Sequence, residues 1–142
     1  MNFTFNEQDI VKISALLESN PVMQDGAWLW QMADKQSGQA QTVIIHGAVD
    51  LGGGFTGPLI AVQTKHGYFE LHGCTHYLLF EPDEVIFLRA DETAISSMVI
   101  GKKCTCSMFA PIRRELLSED MSNLDPAVLM SAMQLSIAES IL

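Results

Sequence analysis

Between Ala27 and Met108 the apolar residues of this chain come in short runs, each cut off by glycine, proline or a brief polar stretch. That rhythm constrains the fold more than any other feature. Such runs are too short for helices, and the turn residues between them bring each run back beside the last, which predicts antiparallel pairing. The runs are Ala27–Met32, Thr42–Val49, Leu59–Gln63, Tyr68–Leu71 and Thr75–Phe80, with His66-Gly67 and Gly73 supplying turns. The strongest hairpin joins Val85–Ala90 to Ala94–Ile100 through Asp91-Glu92-Thr93, and Gly101 closes it. Cys104–Phe109 adds an edge. No strand–helix–strand alternation is present, which argues against a doubly wound parallel sheet. The expectation is an α+β fold built on a strongly curved antiparallel sheet or partial barrel.

Helical spacing appears only outside this stretch. From Asn6 to Asn20 the residues Ile10, Ile13, Leu16 and Leu17 recur at helical intervals. Asn6 is a suitable cap, Glu7 and Asp9 suit the first turn, and Pro21 forbids helix at Asn20. Beyond the strands, Pro111–Leu117 reads as a short helix, and Asp125-Pro126 as the cap and first turn of a longer one. Past that cap, Glu139 is its one charged residue. A helix this apolar lies either across the sheet or against a second subunit. The organisation expected is a single domain over residues 1–142, with an N-terminal helix at 6–20, a β core at 27–109 and C-terminal helices at 111–142.

A chain of 142 residues can bury roughly two-thirds of its unfolded surface without staples. Its formal charge of −9, from 17 acidic and 8 basic residues, disfavours nucleic-acid binding, which needs clustered cations. The charged fraction of 18% is low enough to indicate that a partner covers some surface. Three cysteines are no secreted disulfide framework, and Met1–Asn6 has no basic and apolar leader pattern. No apolar run approaches the ~18 residues of a membrane span. The expected location is the cytoplasm.

The glycine stretch Leu51–Pro58 lacks the Lys and Ser/Thr of a phosphate-binding loop and reads as a loop or bulged turn. His66, His72, His76 and Cys74 are close in sequence, but their order is no standard zinc pattern. Cys104-Thr105-Cys106 lacks the two-residue spacer of a zinc knuckle. No Gly-x-Ser-x-Gly elbow occurs, and nothing in sequence orients a base toward Cys74, so the chain is not expected to be an enzyme. His46 stands out, because it ends the strand Thr42–Ile45 and precedes Gly47 and the glycine stretch. A histidine so placed could ligate a metal or heme iron.

Three stretches together resemble the ChuX/HutX heme-utilization family, relatives of half a HemS-type protein. They are Gln41–His46, Cys74–Glu81, and Val85–Ala90 continuing to Met98–Lys102. The similarity spans roughly residues 27 to 103. It implies a saddle-like antiparallel sheet with flanking helices, paired as a homodimer. The implied activity is non-catalytic heme binding in the cytoplasm, for storage or transfer to a heme-receiving protein. On this resemblance His46 is the first iron ligand. Tyr68 falls where the family has a second heme-contacting histidine, with His66 as the alternative, and His76 of the Cys-Thr-His strand joins the cofactor-binding set. Lys65 is the nearest cation for the heme carboxylates. The other reading of the chain is a cofactor-free dimeric interaction or chaperone-like module.

Overall fold

The structure is a computed structural model that describes residues 3–65, 67–91 and 94–113, the last four through their backbone. One helix and nine strands occupy this stretch: α1 (Glu7–Leu17), β1 (Val22–Gln24), β2 (Ala27–Ala33), β3 (Ala40–Gly52), β4 (Phe55–Thr64), β5 (Tyr68–His72), β6 (His76–Phe80), β7 (Glu84–Ala90), β8 (Ala94–Gly101) and β9 (Thr105–Arg113). All strand pairs are antiparallel, and each joins chain neighbours. The strands form a five-stranded sheet, β1-β2-β3-β4-β5, and a four-stranded sheet, β6-β7-β8-β9.

The one curved sheet expected from the sequence is thus two sheets. The chain changes sheets at Gly73–Thr75. The Gly73 amide still donates to the Pro58 carbonyl of the first sheet at 2.8 Å, whereas the Thr75 amide donates to the Leu88 carbonyl of the second, also at 2.8 Å. The Thr75 hydroxyl accepts from the Ala90 amide at 2.9 Å, so this residue satisfies the end of the new sheet with its side chain. Gly73 has φ +74°, a left-handed turn that side-chain-bearing residues adopt at a cost.

One further expectation is resolved and another is corrected. Of the loop or bulged turn expected at Leu51–Pro58, the bulged turn forms, as the tip of a long hairpin: the register shifts between Asp50 and Gly52, and Gly52 pairs with Phe55, leaving Gly53 and Gly54 as a two-residue turn. Both have positive φ, 62° and 80°, as a type I′ turn requires. The short helix expected at Pro111–Leu117 starts instead as strand, because β9 continues to Arg113. The rest of that helix, and the helix from Asp125 to Leu142, lie outside the described residues.

Alternation along the strands fills one interior. Trp30, Val43, Ile60 and Val62 of the first sheet share a core with Val85, Phe87, Met98 and Ile100 of the second. Helix α1 adds Ile10, Ile13, Leu16 and Leu17 to the same core. Its start carries a capping box: Asn6 Oδ1 accepts from the Asp9 amide at 2.8 Å, and Asp9 Oδ2 accepts from the Asn6 amide at 2.9 Å. The helix ends at Glu18, which takes a left-handed conformation, two residues before the position set by Pro21. One side-chain hydrogen bond ties α1 to each sheet. Trp30 Nε1 donates to Ser14 Oγ at 3.1 Å, and the Tyr77 hydroxyl donates to Asp9 Oδ1 at 2.7 Å.

Candidate functional site

The arrangement with the most chemistry lies on the outward face of the five-stranded sheet. In β3, Val43 and Ile45 point into the core, so His46 points away from it. Register places His46 opposite Leu59 of β4, and Leu59 opposite His72 of β5. The two histidines therefore stand on one face in one row, two strands apart, which is about 10 Å between backbones. His72 Nε2 lies 3.4 Å from Glu70 Oε2, a carboxylate–imidazole pair of the kind that orients metal-ligating histidines.

His72, at one end of the row, also lines a pocket of about 330 Å³ at the point where the chain changes sheets. Its wall contains Phe3, Leu51, Phe55 and Pro58, with His72 and Arg89 as its basic side chains. Arg89 continues the inward-facing series Val85 and Phe87 but lies at the strand's end, so its guanidinium is exposed at the mouth of the interior. Among the described residues no carboxylate forms an ion pair with it. The tip of the β3–β4 hairpin folds toward this crossing. A Cβ on Gly57 would stand 3.0 Å from Leu51 Cδ1 and 3.7 Å from Gly73 Cα, so the absence of a side chain at position 57 lets these segments close up. An apolar wall with one arginine and one imidazole suits an organic ligand that carries carboxylate groups.

The residues singled out in the sequence do not converge. His46 belongs to the row. Tyr68 shares its face, but it pairs with Gln63 at the far end of β5. It sits about 13 Å from His46 along the strands and about 10 Å across them. Burial, and then the neighbouring Glu70, push the Tyr68 phenol above its usual range, which disfavours a tyrosinate ligand. His76 is on the other sheet, opposite Leu88, with Nδ1 2.8 Å from Thr75 Oγ1. His66 lies outside the described residues. Lys65 lines a separate cavity of about 890 Å³, together with Phe69, Cys104 and Cys106. Sequence reasoning placed His72 only in a zinc cluster and did not single out Arg89. Strand parity gives the outward direction of His72, but its partnership with His46 depends on register.

The thiols are poorly suited to nucleophilic chemistry. Cys74 is 1% exposed, and burial pushes its thiol up to about 12. Burial likewise holds Cys106 at about 11. Neither forms appreciable thiolate near neutral pH. Among the described residues no group of three or more His, Cys, Asp or Glu side chains is placed to hold a metal ion. Among them, too, no helix is long and apolar enough to cross a membrane. Compared with family models, curated proteins and solved structures, the chain matches none.

Proposed function

We propose that this protein binds heme without catalysing a reaction, holding it for storage or transfer inside the cell. The observation that carries the reading is the in-register row His46–Leu59–His72, which ends in the pocket containing Arg89. His46 and His72 would hold the heme iron through their imidazole nitrogens. Glu70 would orient the His72 ring, and Arg89 would pair with a propionate. The apolar wall of Phe3, Leu51, Phe55 and Pro58 would take part of the macrocycle. The resemblance to the ChuX/HutX family supports the same ligand. It extends the proposal to a saddle-shaped homodimer that passes heme to a receiving protein.

The test is a hemin titration of the purified protein followed by optical absorption. His46→Ala, His72→Ala and Tyr68→Phe are titrated alongside. The expected result is a Soret shift saturating at one heme per chain, altered in both histidine variants and unchanged in Tyr68→Phe. A response that never saturates and is identical in all four proteins refutes the proposal.

A second reading, a cofactor-free interaction module, is favoured by the edge strand β1. There Val22 and Met23 are 62% and 59% exposed. Under that reading Met23→Lys abolishes self-association or partner binding, and no variant changes a hemin spectrum.

A further inference from the structure

All three cysteines carry free thiols, and two of them come together at the start of β9. Cys104 belongs to the shared core, and Cys106 packs against the same cluster. Thr105 between them is exposed and pairs with Gly101, while Cys106 pairs with the core residue Ile100. The two thiols therefore project from one face of the chain, with a single outward-facing residue between them. Both line the cavity of about 890 Å³, which shares no residue with the pocket beside His72. Cys104 holds φ +63°, a left-handed conformation that residues other than glycine seldom adopt. The segment is also fixed from behind. The buried Gln41 donates through Nε2 to the carbonyls of Gly101 and Thr105, each at 3.4 Å. A Cβ on Gly101 would collide with Thr105 Oγ1, so the bare glycine lets Thr105 close over the turn.

We propose that Cys104 and Cys106 form a two-sulfur site for a soft univalent metal ion, copper(I). Residues two apart on an extended strand stand about 6.8 Å apart at their backbones. That is the outer limit for a disulfide, whose sulfurs must close to about 2.05 Å. One bridging ion asks much less, since two bonds of about 2.3 Å leave the sulfurs about 4.6 Å apart. The donor count selects the metal. Zinc takes four ligands in a structural site, and among the described residues no group of three or more His, Cys, Asp or Glu side chains gathers here. Copper(I) prefers sulfur and is satisfied by two thiolates in a line. On binding, each S–H bond gives way to an S–Cu bond, two protons pass to solvent, and no oxidation state changes. The bound ion thereby draws off the protons that burial otherwise keeps on these sulfurs. The resulting complex carries one negative charge, and Lys65 on the wall of the same cavity supplies the opposite one.

The test titrates the reduced full-length chain with copper(I) under anaerobic conditions, against the colorimetric copper(I) chelator bathocuproine disulfonate. Cys104→Ser, Cys106→Ser and Cys74→Ser are titrated alongside, and X-ray absorption is recorded on the copper-loaded wild type. The expected result is one copper(I) held per chain against the chelator, kept in Cys74→Ser and lost in each of the other two. The absorption spectrum should show two sulfur neighbours and no nitrogen. Zinc(II) offered in the same way should not be retained. Three results overturn the proposal. In the first, the wild type yields all its copper to the chelator. In the second, Cys74→Ser loses the ion as fully as the other variants. In the third, the spectrum of the wild type shows nitrogen or more than two sulfur neighbours, which assigns the ion to the histidines or to thiols shared between chains. The first and third use the wild type alone and do not depend on any variant folding.

Discussion

Replacing Tyr77 by Phe removes one oxygen and leaves an aromatic cluster in place. The Tyr77 ring packs against Phe5 and Phe3 at centroid distances of 5.8 and 6.3 Å, and a phenyl ring keeps both contacts. What is lost is the 2.7 Å hydrogen bond to Asp9 Oδ1. A hydrogen bond to a charged group contributes about 1.5–3 kcal/mol when buried, and partial exposure of this pair lowers that to about 1.2 kcal/mol. With an m-value of about 2 kcal/mol/M, the urea midpoint falls by about 0.6 M. Asp9→Ala should cost more, about 2 kcal/mol, because Asp9 also accepts from the Asn6 amide and sits favourably in the first helical turn. Combining the two changes tests the link itself: the double variant should be less destabilised than the sum, with a coupling of about 1 kcal/mol. The assay is equilibrium urea unfolding of the four proteins, read by tryptophan fluorescence. If Tyr77→Phe leaves the midpoint unmoved and the coupling is below about 0.3 kcal/mol, the bond does not anchor the helix to the second sheet.

Other outcomes follow from the same geometry. Gly73→Ala forces a side chain into φ +74° at the sheet crossing and should cost about 1–2 kcal/mol in urea unfolding; an unchanged midpoint would mean that the turn relaxes freely. Arg89→Gln should weaken hemin binding severalfold while leaving the Soret position intact, since it removes a carboxylate partner and no iron ligand. The thiols Cys74 and Cys106 have folded values of about 12 and 11, both above the ordinary value of 9. The unfolded chain therefore releases these protons first, so their contribution to stability is whole below pH 9 and is lost as pH rises through 9 toward 12. Thermal unfolding between pH 8 and 11 should show the decline, and it should be shallower in Cys74→Ala. At neutral pH a thiol-specific disulfide reagent should modify Cys106 slowly, and Cys74 only after denaturant is added; rapid labelling of Cys74 would contradict its burial.

Much of the architecture was readable because strands and turns are written locally. Val85–Ala90 and Ala94–Ile100 became β7 and β8 almost unchanged, since their apolar runs and flanking polar residues are self-sufficient signals. Strand β1 left only three exposed residues to find, yet Asp25-Gly26, the turn that pairs Gln24 with Ala27, is a strong hairpin signal that went unread. The division into two sheets was not legible, because it rests on Thr75 bonding to Leu88, thirteen residues away. The histidine row was hidden for a related reason. Counting back from the Gly52–Phe55 pair without irregularities, His46 would face Ala61. Two register shifts in the hairpin bring it opposite Leu59 instead, and so into line with His72. Bulges depend on how a strand accommodates its neighbours, and no local pattern of side chains announces them.

The strict succession of strand partners bears on how quickly this molecule reaches its native state. No strand waits for a distant stretch of chain before it can pair, so most pairings close short loops, at little entropic cost. Folding should therefore be fast for a β-rich chain of this size, with hairpins zipping in series. The slow, non-local step is the meeting of the two sheets over α1, whose partners Trp30 and Tyr77 belong to different sheets.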